Sequence, residues 1–513
     1  MGLFGFNPLS LPAHNPPKDK NSWPPGSELR TKFGQQGLWW PKKLGGAHLS
    51  GEEIEPYRQL GDDPVDQILR LLEAENKTLG PTDDLLRMAD EAQSIDFSQR
   101  TPAEKAMTSF IEKCSKLPDW VDQEQLRRGQ EVFLTYTPVA SLALYYRSLI
   151  AGFSIPKIAA VIRATAYLSP PSRPDQALQR LLDTGELTAA CIGLGLDPIM
   201  PGGLGWKTAL YVRVLHAKVR YALLRRKGDR KWDSDTLGLP INQEDMAATL
   251  LAFSVNVLDG IDIIAGIPVR EQERLDYLAL WRYLGWLLGV ESEGDSRSEG
   301  LPTCEELPPL DPCGPGPGQL NNASKRSAAL LDSFILHLLH PDDSSAVVAH
   351  HLLKITDRKP PSLKLSEVPD EFYKNELFYY RSLQCRRLIG DPLADALQLP
   401  FHPVRWKRIK LWMKSTFILS LLRCYTLASM WIPFVRKRVI EWHTSAFQKF
   451  HEHWIETHQS KMAKALAKNE KASCIKEDDD KNKEEDPALM EKSNDGSDAS
   501  QSLCPFAMIA PPQ

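Results

Sequence analysis

The amino-acid sequence predicts an all-α protein, organised as a single large helical domain with an extended N-terminal arm and a disordered C-terminal tail. Apolar residues recur at helical spacing from about residue 50 to 290 and again from about 326 to 458. After Pro64, which stands where the first turn of a helix accepts proline, four apolar residues share one helix face: Val65, Ile68, Leu69 and Leu72. Short β-branched alternation, the mark of strands, is almost absent.

Composition narrows the function classes. The chain has 513 residues, enough for one large or two ordinary domains, and a formal net charge of −4, so nothing in its overall charge indicates a nucleic-acid partner. Its eight cysteines form no Cys-x-x-Cys pair, which predicts reduced thiols rather than a disulfide framework. The N-terminus lacks the basic start and continuous apolar core of a signal peptide. We therefore expect an intracellular protein, with association with an internal membrane left open.

Changes in composition divide the chain. Residues 1–45 are rich in Pro and Gly, and they are predicted to form an arm laid on the domain through three tryptophans: Trp23, Trp39 and Trp40. Residues 46–458 carry the helical pattern and form the main domain. Within it, the Pro-rich stretch 291–325 is predicted to be a flexible insert. The mixed-charge stretch 459–513 is predicted to be a disordered tail.

One segment bears on membranes. Residues 415–435 are largely apolar and have basic residues on both sides. The length just suffices to span a bilayer core, but Arg423 near the middle opposes a span, and positive charge at both ends gives no orientation signal. Three interpretations stay open: a buried core helix, an interfacial helix that associates peripherally with a membrane, and a true span.

His216 is the most informative residue for function. At about 100° per residue, Arg213, His216 and Arg220 fall within about 60° of one another on a helix. Two fixed positive charges disfavour imidazolium, so a neutral ring is predicted, and its lone pair is what a metal or haem iron requires. The arginines would then be placed for anionic groups such as haem propionates. The alternative is a half-buried histidine among apolar neighbours, with both arginines solvated.

The stretch 212–220 around His216 resembles the haem-histidine helix of the latex-clearing protein (rubber oxygenase) family. That family includes the ER-bound oxygenase of mycophenolic acid biosynthesis. Three further segments are similar to family members in order and spacing: residues 179–184, with an arginine and a threonine four apart; residues 239–253, which begin Leu-Pro-x-Asn-Gln-x-Asp; and residues 387–397.

The resemblance implies a helical domain of the rubber-oxygenase type that binds haem b, with His216 as the axial ligand of the iron and with Arg213 and Arg220 near the cofactor. Arg180 and Thr184 would be the catalytic residues, orienting oxygen by hydrogen bonds from a shared helix face. Family members use dioxygen to cleave carbon–carbon double bonds of isoprenoid chains. The expected partners are therefore dioxygen and a lipophilic small molecule.

The chain departs from the rubber-cleaving pattern at two places. Asp183 stands where latex-clearing enzymes carry a lysine, and the stretch 162–166 has no carboxylate where their glutamate base should lie. Arg163 and Thr165 in that stretch are poor bases. A membrane-soluble substrate smaller than rubber is therefore favoured. The alternative function is a non-catalytic, membrane-associated helical binding or scaffold protein that keeps the family fold, and a peroxidase using the same haem is not separable by sequence.

Overall fold

The computed structural model describes residues 19–33, 35–77, 79, 85–165, 174–292, 307–315, 322–355 and 376–456. Over these residues the chain is all-α, as predicted, apart from one β-hairpin of strands β1 (Glu28–Lys32) and β2 (Gln35–Trp39). The helices are α1 (Gly51–Ile54), α2 (Asp63–Ala74), α3 (Leu85–Gln93), α4 (Pro102–Cys114), α5 (Gln123–Leu142), α6 (Ile150–Gly152), α7 (Pro156–Ala164), α8 (Pro174–Thr188), α9 (Leu204–Leu224), α10 (Ser234–Leu237), α11 (Gln243–Phe253), α12 (Val255–Ala265), α13 (Glu271–Leu287), α14 (Ala323–Leu338), α15 (Asp343–Ile355), α16 (Glu376–Ile389), α17 (Asp391–Ala396), α18 (Arg405–Trp431) and α19 (Pro433–Glu456).

The hairpin lies in the predicted N-terminal arm, where no strand was expected. Its strands are antiparallel, with Glu28 opposite Trp39 and Lys32 opposite Gln35. Trp39 is buried and anchors the hairpin on the domain, with its ring centroid 4.8 Å from that of His48 and 5.3 Å from that of His337. A two-stranded ribbon gains stability from packing against a helical body, which this contact supplies.

The core is built around α5 and α13. The rings of Phe133 and Tyr277 stack between them, with centroids 6.5 Å apart. The backbones come close at Gly129, where an added Cβ would lie 2.4 Å from the carbonyl oxygen of Asp276. Beyond its last residue α5 continues as a π-helical segment, Ala143–Leu149, which packs against α12 and α16. The π segment therefore ties the central pair to the second half of the chain.

The sequence prediction for α2 is confirmed. This helix buries its predicted face against α4 and α9, with four residues in the core: Val65, Ile68, Leu69 and Leu72. Part of the stretch 291–325, which was predicted to be a flexible insert, is held against the domain. Residues 307–315 lie against the body, because Asp311 is buried and accepts hydrogen bonds at 2.6–3.0 Å from the guanidinium group of Arg282. The stretches 293–306 and 316–321, like the tail 459–513, lie outside the described residues, so flexibility there stays a prediction.

Two long helices end the described chain. One side of α18 packs on α5, α12 and α16, and a bend of 112° at Pro433 sends α19 back over α8. Within the described residues, one continuous stretch is long and apolar enough to cross a membrane, Gln243–Ala265, and 83% of its most apolar 18-residue segment is buried inside the protein. Two pairs of helices, α8–α9 and α18–α19, are separated by sharp bends. Each pair, the first taken with the turns beside α8, is long and apolar enough to cross a membrane only if its two helices are counted as one span.

Candidate functional site

Helix α9 carries the predicted histidine through the interior. It begins after Gly203 and packs its first turn against a π-helical segment, Ala189–Gly193, that follows α8. The approach is tight at Gly205, where an added Cβ would lie 2.5 Å from the carbonyl oxygen of Ala190. Because a larger residue would push the two helices apart, this glycine fixes where His216 sits, three turns further along α9.

Arg213 is buried and faces α2. Its Nε and Nη2 atoms donate to the two carboxylate oxygens of Asp62 at 2.7 and 2.8 Å, and Nη1 donates to the carbonyl oxygen of Trp286 at 3.3 Å. Its guanidinium carbon also lies 5.0 Å from the ring centroid of Phe110. Arg213 therefore forms a bidentate internal ion pair, the geometry that makes an arginine–carboxylate bond strong and directional.

Arg220, seven residues after Arg213 on the same helix, makes a second internal ion pair. Its Nη1 atom donates to Oδ1 of Asp66 at 2.5 Å, while Nε and Nη2 donate to the carbonyl oxygens of Pro240 at 3.1 Å and Ile241 at 2.7 Å. Both arginines are thus buried and bound by groups of this chain, which differs from the solvated arginines of the alternative interpretation. Their predicted contact with haem propionates stays a prediction, because in this arrangement carboxylates of α2 occupy the same donors.

His216 lies between those two arginines and is half-buried. Burial, assisted by the charge of Arg220 and opposed by that of Asp62, lowers the pKa of its ring to about 4. The imidazole is therefore neutral near pH 7, as predicted from the sequence. Its buried Nδ1 atom has no hydrogen-bond partner among the described residues. A buried polar nitrogen without a partner is costly, so this atom is an exception that a bound ligand or a water would explain.

Helix α8 brings the other predicted site residues to the same neighbourhood. Leu187 of α8 packs beside Val212 of α9, one turn before His216. Arg180 and Thr184 are both half-buried on α8, and the hydroxyl of Thr184 donates to the backbone carbonyl of Arg180 at 3.1 Å. The helices α8 and α9 are therefore neighbours, while the roles of His216, Arg180 and Thr184 stay predictions.

Asp183 and Glu186 of α8 contact α19. The Asp183 carboxylate accepts hydrogen bonds from Gln179 at 2.9 Å and from the indole of Trp454 at 3.3 Å. The fully buried Glu186 is hydrogen-bonded to Nδ1 of His451. These contacts give Asp183 a structural role, because it anchors α19. Sequence reasoning missed them, since nothing in the local pattern links positions 183 and 454.

The stretch 162–166 supplies no base near α9. Arg163 donates to the hydroxyl of Ser344 on α15, and the hydroxyl of Thr165 donates to the carbonyl oxygen of Val161 at 2.9 Å. Neither residue is directed to His216 by a contact that the structure describes. The stretch 166–173 lies outside the described residues.

The two later segments of the resemblance hold the framework together. Asn242 caps α11, its side chain accepting from the Asp245 amide at 2.9 Å. Gln243 joins three elements, donating to the carbonyl oxygens of Gly61 and Gly289 at 2.9 Å and accepting from the amide of Glu291. Arg387 donates to the hydroxyls of Ser415 and Thr416 on α18, both at 2.9 Å. The first of these segments also contacts the site, because Arg220 donates to its Pro240 and Ile241 carbonyls.

A separate apolar cavity of about 130 Å³ lies between the N-terminal hairpin and α14. Its lining includes Trp39, Phe334 and Ile389 with the buried polar groups of Arg147 and Asn256, whereas α8 and α9 contribute none of the described residues that line it. The cavity is therefore distinct from the surroundings of His216.

The fold and the α8–α9 geometry define a class: an all-α protein that holds one neutral histidine between two buried arginines, beside a helix with an arginine and a threonine. The chain belongs to the ER-bound oxygenase mpaB/B′/rubber oxygenase family, whose catalytic-domain model matches residues 140–419. The predicted resemblance is thereby confirmed. The solved structure of latex clearing protein LCP in the closed state is similar, with 19% identity and a TM-score of 0.44 over 72% of this chain and 91% of that chain. No curated protein matches the chain.

Proposed function

We propose that this protein is a haem b-dependent oxygenase that uses dioxygen to cleave or oxidise a carbon–carbon double bond of an isoprenoid or other lipophilic molecule. Membership of the family supports the oxygenase class. The observation that carries the haem is His216, a neutral imidazole on an internal helix with a buried Nδ1 atom that no described residue satisfies.

The donor set around His216 fits a haem better than a bare metal ion. Among the described residues, no group of three or more His, Cys, Asp or Glu side chains is arranged to hold a metal. A single histidine is a sufficient protein ligand only when a macrocycle supplies the other donors, as in haem proteins with one axial histidine. When bound, the haem would supply the chemistry of dioxygen, and the protein would supply orientation and a controlled environment.

The residues of this chain have distinct tasks in the proposal. Arg213 and Arg220 hold α9 against α2 and thereby position His216. Burial, assisted by the charge of Arg220, lowers the pKa of the imidazole and keeps it neutral, which leaves a ring nitrogen available as a ligand. Arg180 and Thr184 would hold oxygen or an oxygenated group by hydrogen bonds from the neighbouring helix, which would require the Thr184 hydroxyl to redirect its proton from the backbone.

The substrate in this proposal is smaller than a rubber polymer and membrane-soluble. The position of the latex-clearing glutamate base has no carboxylate here, and the nearby Asp183 is committed to Trp454. Because that base is missing, the proposal does not include the proton abstraction that the glutamate would perform in the rubber-cleaving enzymes.

The decisive experiment is a titration of the purified protein with haemin, followed by absorption spectroscopy. The wild-type protein is expected to give a Soret band that is lost or shifted in a His216→Ala variant. His337→Ala is the matched control, because His337 on α14 is another half-buried histidine with a buried ring nitrogen that no described residue satisfies. A wild-type protein that binds no haemin, or a His216→Ala variant with an unchanged spectrum, would contradict the proposal.

One observation favours a second candidate, a membrane-associated binding or scaffold protein that keeps the family fold without iron. The donors of Arg213 and Arg220 are already engaged with Asp62 and Asp66, so the face predicted for haem propionates is closed by the chain itself. The haemin titration separates the two candidates. Oxygen consumption with an isoprenoid alkene then tests catalysis, with Arg180→Ala and Thr184→Ala expected to lower the rate while leaving the Soret band in place.

A further inference from the structure

Helix α18 presents its largest apolar side chains to solvent. At about 100° per residue, five of them fall on an arc of about 120°. Their exposed fractions range from 51% to 65%. The five are Trp406, Ile409, Met413, Phe417 and Leu421.

The buried side of the same helix is smaller and more polar. Its core-facing residues are Leu411, Ser415, Leu419, Thr426, Ser429 and Met430. The Ser415 hydroxyl donates to Oε1 of Gln384 at 3.0 Å, so part of this side is held by hydrogen bonds. A helix on a water-exposed surface has its large apolar residues inside and its polar residues outside. On α18, half of the six core-facing residues are Ser or Thr, while large apolar residues lie outside beside basic ones such as Lys410. This departure indicates that the outer side meets an apolar phase.

The apolar surface continues around the corner between α18 and α19. Trp431, Ile432 and Phe434 are 64%, 49% and 69% exposed, and Trp442 on the next turns is 66% exposed. Ten of the twenty large hydrophobic side chains that are exposed in the described chain lie between residues 406 and 442. Contiguous patches of this kind mark interaction sites, whereas isolated exposed apolar residues do not.

Charge identifies the partner. No Asp or Glu occurs between Asp395 and Glu441, and the exposed charged residues of this stretch are all basic: Arg405, Arg408, Lys410, Lys414, Lys437 and Arg438. Arg423, which opposes a span, does not interrupt the outer side, since its guanidinium group lies beside Gly266 at the end of α12. Tryptophan and basic residues around an apolar helix side are typical of helices that lie in a membrane interface, and anionic lipid attracts such a surface.

We propose that the outer side of α18 and the corner at Pro433, together called the membrane face, lie in the surface of an anionic lipid bilayer. The helix would lie in the plane of the bilayer over about 40 Å of its length. This refines the segment predicted from the sequence, because the membrane face begins at Trp406, nine residues before the apolar run. From the corner, α19 extends to α8 and contacts it through His451 and Trp454. The membrane face is therefore connected through α19 to α8, the helix that carries Arg180. The inference does not depend on haem at His216.

The test is flotation of the full-length protein with vesicles of phosphatidylcholine alone and of phosphatidylcholine with phosphatidylserine. Stronger binding to the phosphatidylserine vesicles is expected. A triple variant, Ile409→Ser, Met413→Ser and Phe417→Ser, should bind about tenfold or more weakly, because it removes the apolar side. A double variant, Lys410→Gln and Lys414→Gln, should lose mainly the preference for anionic lipid. Phe97→Ser is the matched control, since Phe97 is as exposed as Phe417, at 65%, before α4.

Each outcome decides the proposal. Equal binding by the triple variant and the wild-type protein, or no vesicle binding by the wild-type protein, would overturn it. A wild-type protein that binds no vesicles and is a dimer by light scattering, with a monomeric triple variant, would assign the surface to a second copy of this chain. Circular dichroism of each variant shows that the fold is retained, and the haemin titration reports independently on the proposed cofactor.

Discussion

The surroundings of α9 and the membrane face of α18 both reverse the usual distribution of charge and apolar surface, in opposite directions. Beside α9, two arginines and two aspartates are inside the protein. On α18, tryptophan and phenylalanine are outside, while serine and threonine are inside. Each arrangement has a cost in free energy that must be compensated.

The two regions differ in where the compensation lies. The buried arginines of α9 have their carboxylates within the same chain, on α2, at hydrogen-bonding distance. The exposed apolar residues of α18 are not covered by any residue that the structure describes, and in our proposal a lipid surface covers them. Among the described residues, the polar groups beside α9 are therefore paired within the chain, except at the Nδ1 atom of His216, whereas the proposed membrane would cover the exposed side of α18. Variants that change the buried ion pairs of α9 or the exposed apolar residues of α18 therefore test this difference.

The largest effect is expected from Asp62→Ala. The change leaves the Arg213 guanidinium buried without its bidentate carboxylate, and a buried ion pair that loses one member costs about 3–5 kcal/mol in the free energy of unfolding. Urea denaturation followed by circular dichroism measures the loss.

The control is the double variant Asp62→Ala with Arg213→Met, which removes both charges and keeps an apolar side chain of similar length. This variant should recover much of the lost stability, because a buried ion pair replaced as a pair is often neutral. If Asp62→Ala alone lowers the free energy of unfolding by less than about 1 kcal/mol, the pair is solvated. The contrast between buried charge at α9 and exposed apolar surface at α18 would then not hold.

A smaller, pH-dependent effect is expected from His216. Its pKa is lowered from 6.5 to about 4 by burial and by Arg220. Between these values the unfolded chain binds a proton that the folded chain does not, so the stability falls as the pH falls through this window. At about 1.4 kcal/mol per pH unit, the protein without a ligand should lose about 2 kcal/mol more between pH 7 and pH 4.5 than a His216→Gln variant.

The comparison with the variant isolates the histidine from other groups. Burial raises the pKa of Asp245 and of Asp262 to about 7, and these two carboxyls affect stability in the opposite direction, since it falls as the pH rises towards 7. Both are present in the two proteins, so their contributions cancel in the difference. Parallel pH profiles for the two proteins would mean that the ring is solvated, contrary to its place between the arginines.

The fold class could be predicted from sequence because it depends on local periodicity. The buried face of α2 is set by residues within one or two turns of one another, and it was found as expected. The hairpin β1–β2 was missed, since its stability comes from Trp39 packing on distant parts of the domain. Residues 307–315 were missed for the same reason, because one long-range contact, Asp311 with Arg282, holds a proline-rich stretch in place.

The candidate site could be predicted only as far as α9 itself. The clustering of Arg213, His216 and Arg220 follows from helix geometry, and so does the neutral imidazole. The carboxylates of Asp62 and Asp66 lie about 150 residues earlier in the chain, and no spacing rule links them to α9. The role of Asp183 was hidden likewise, because its partner Trp454 belongs to the last described helix.

The smallest change in stability is expected on the membrane face. Phe417 is 65% exposed, so Phe417→Ser should change the free energy of unfolding by no more than about 0.5 kcal/mol, although it removes a large aromatic ring. Leu419, two residues further on the same helix, is 1% exposed, and Leu419→Ala should cost about 2–5 kcal/mol through the lost packing. A Phe417→Ser variant as destabilised as Leu419→Ala would mean that the phenylalanine is covered by this chain, and the surface would need no partner. If Phe417→Ser instead keeps the stability and weakens vesicle binding, the aromatic ring contributes to association and not to folding, which is what separates α18 from α9.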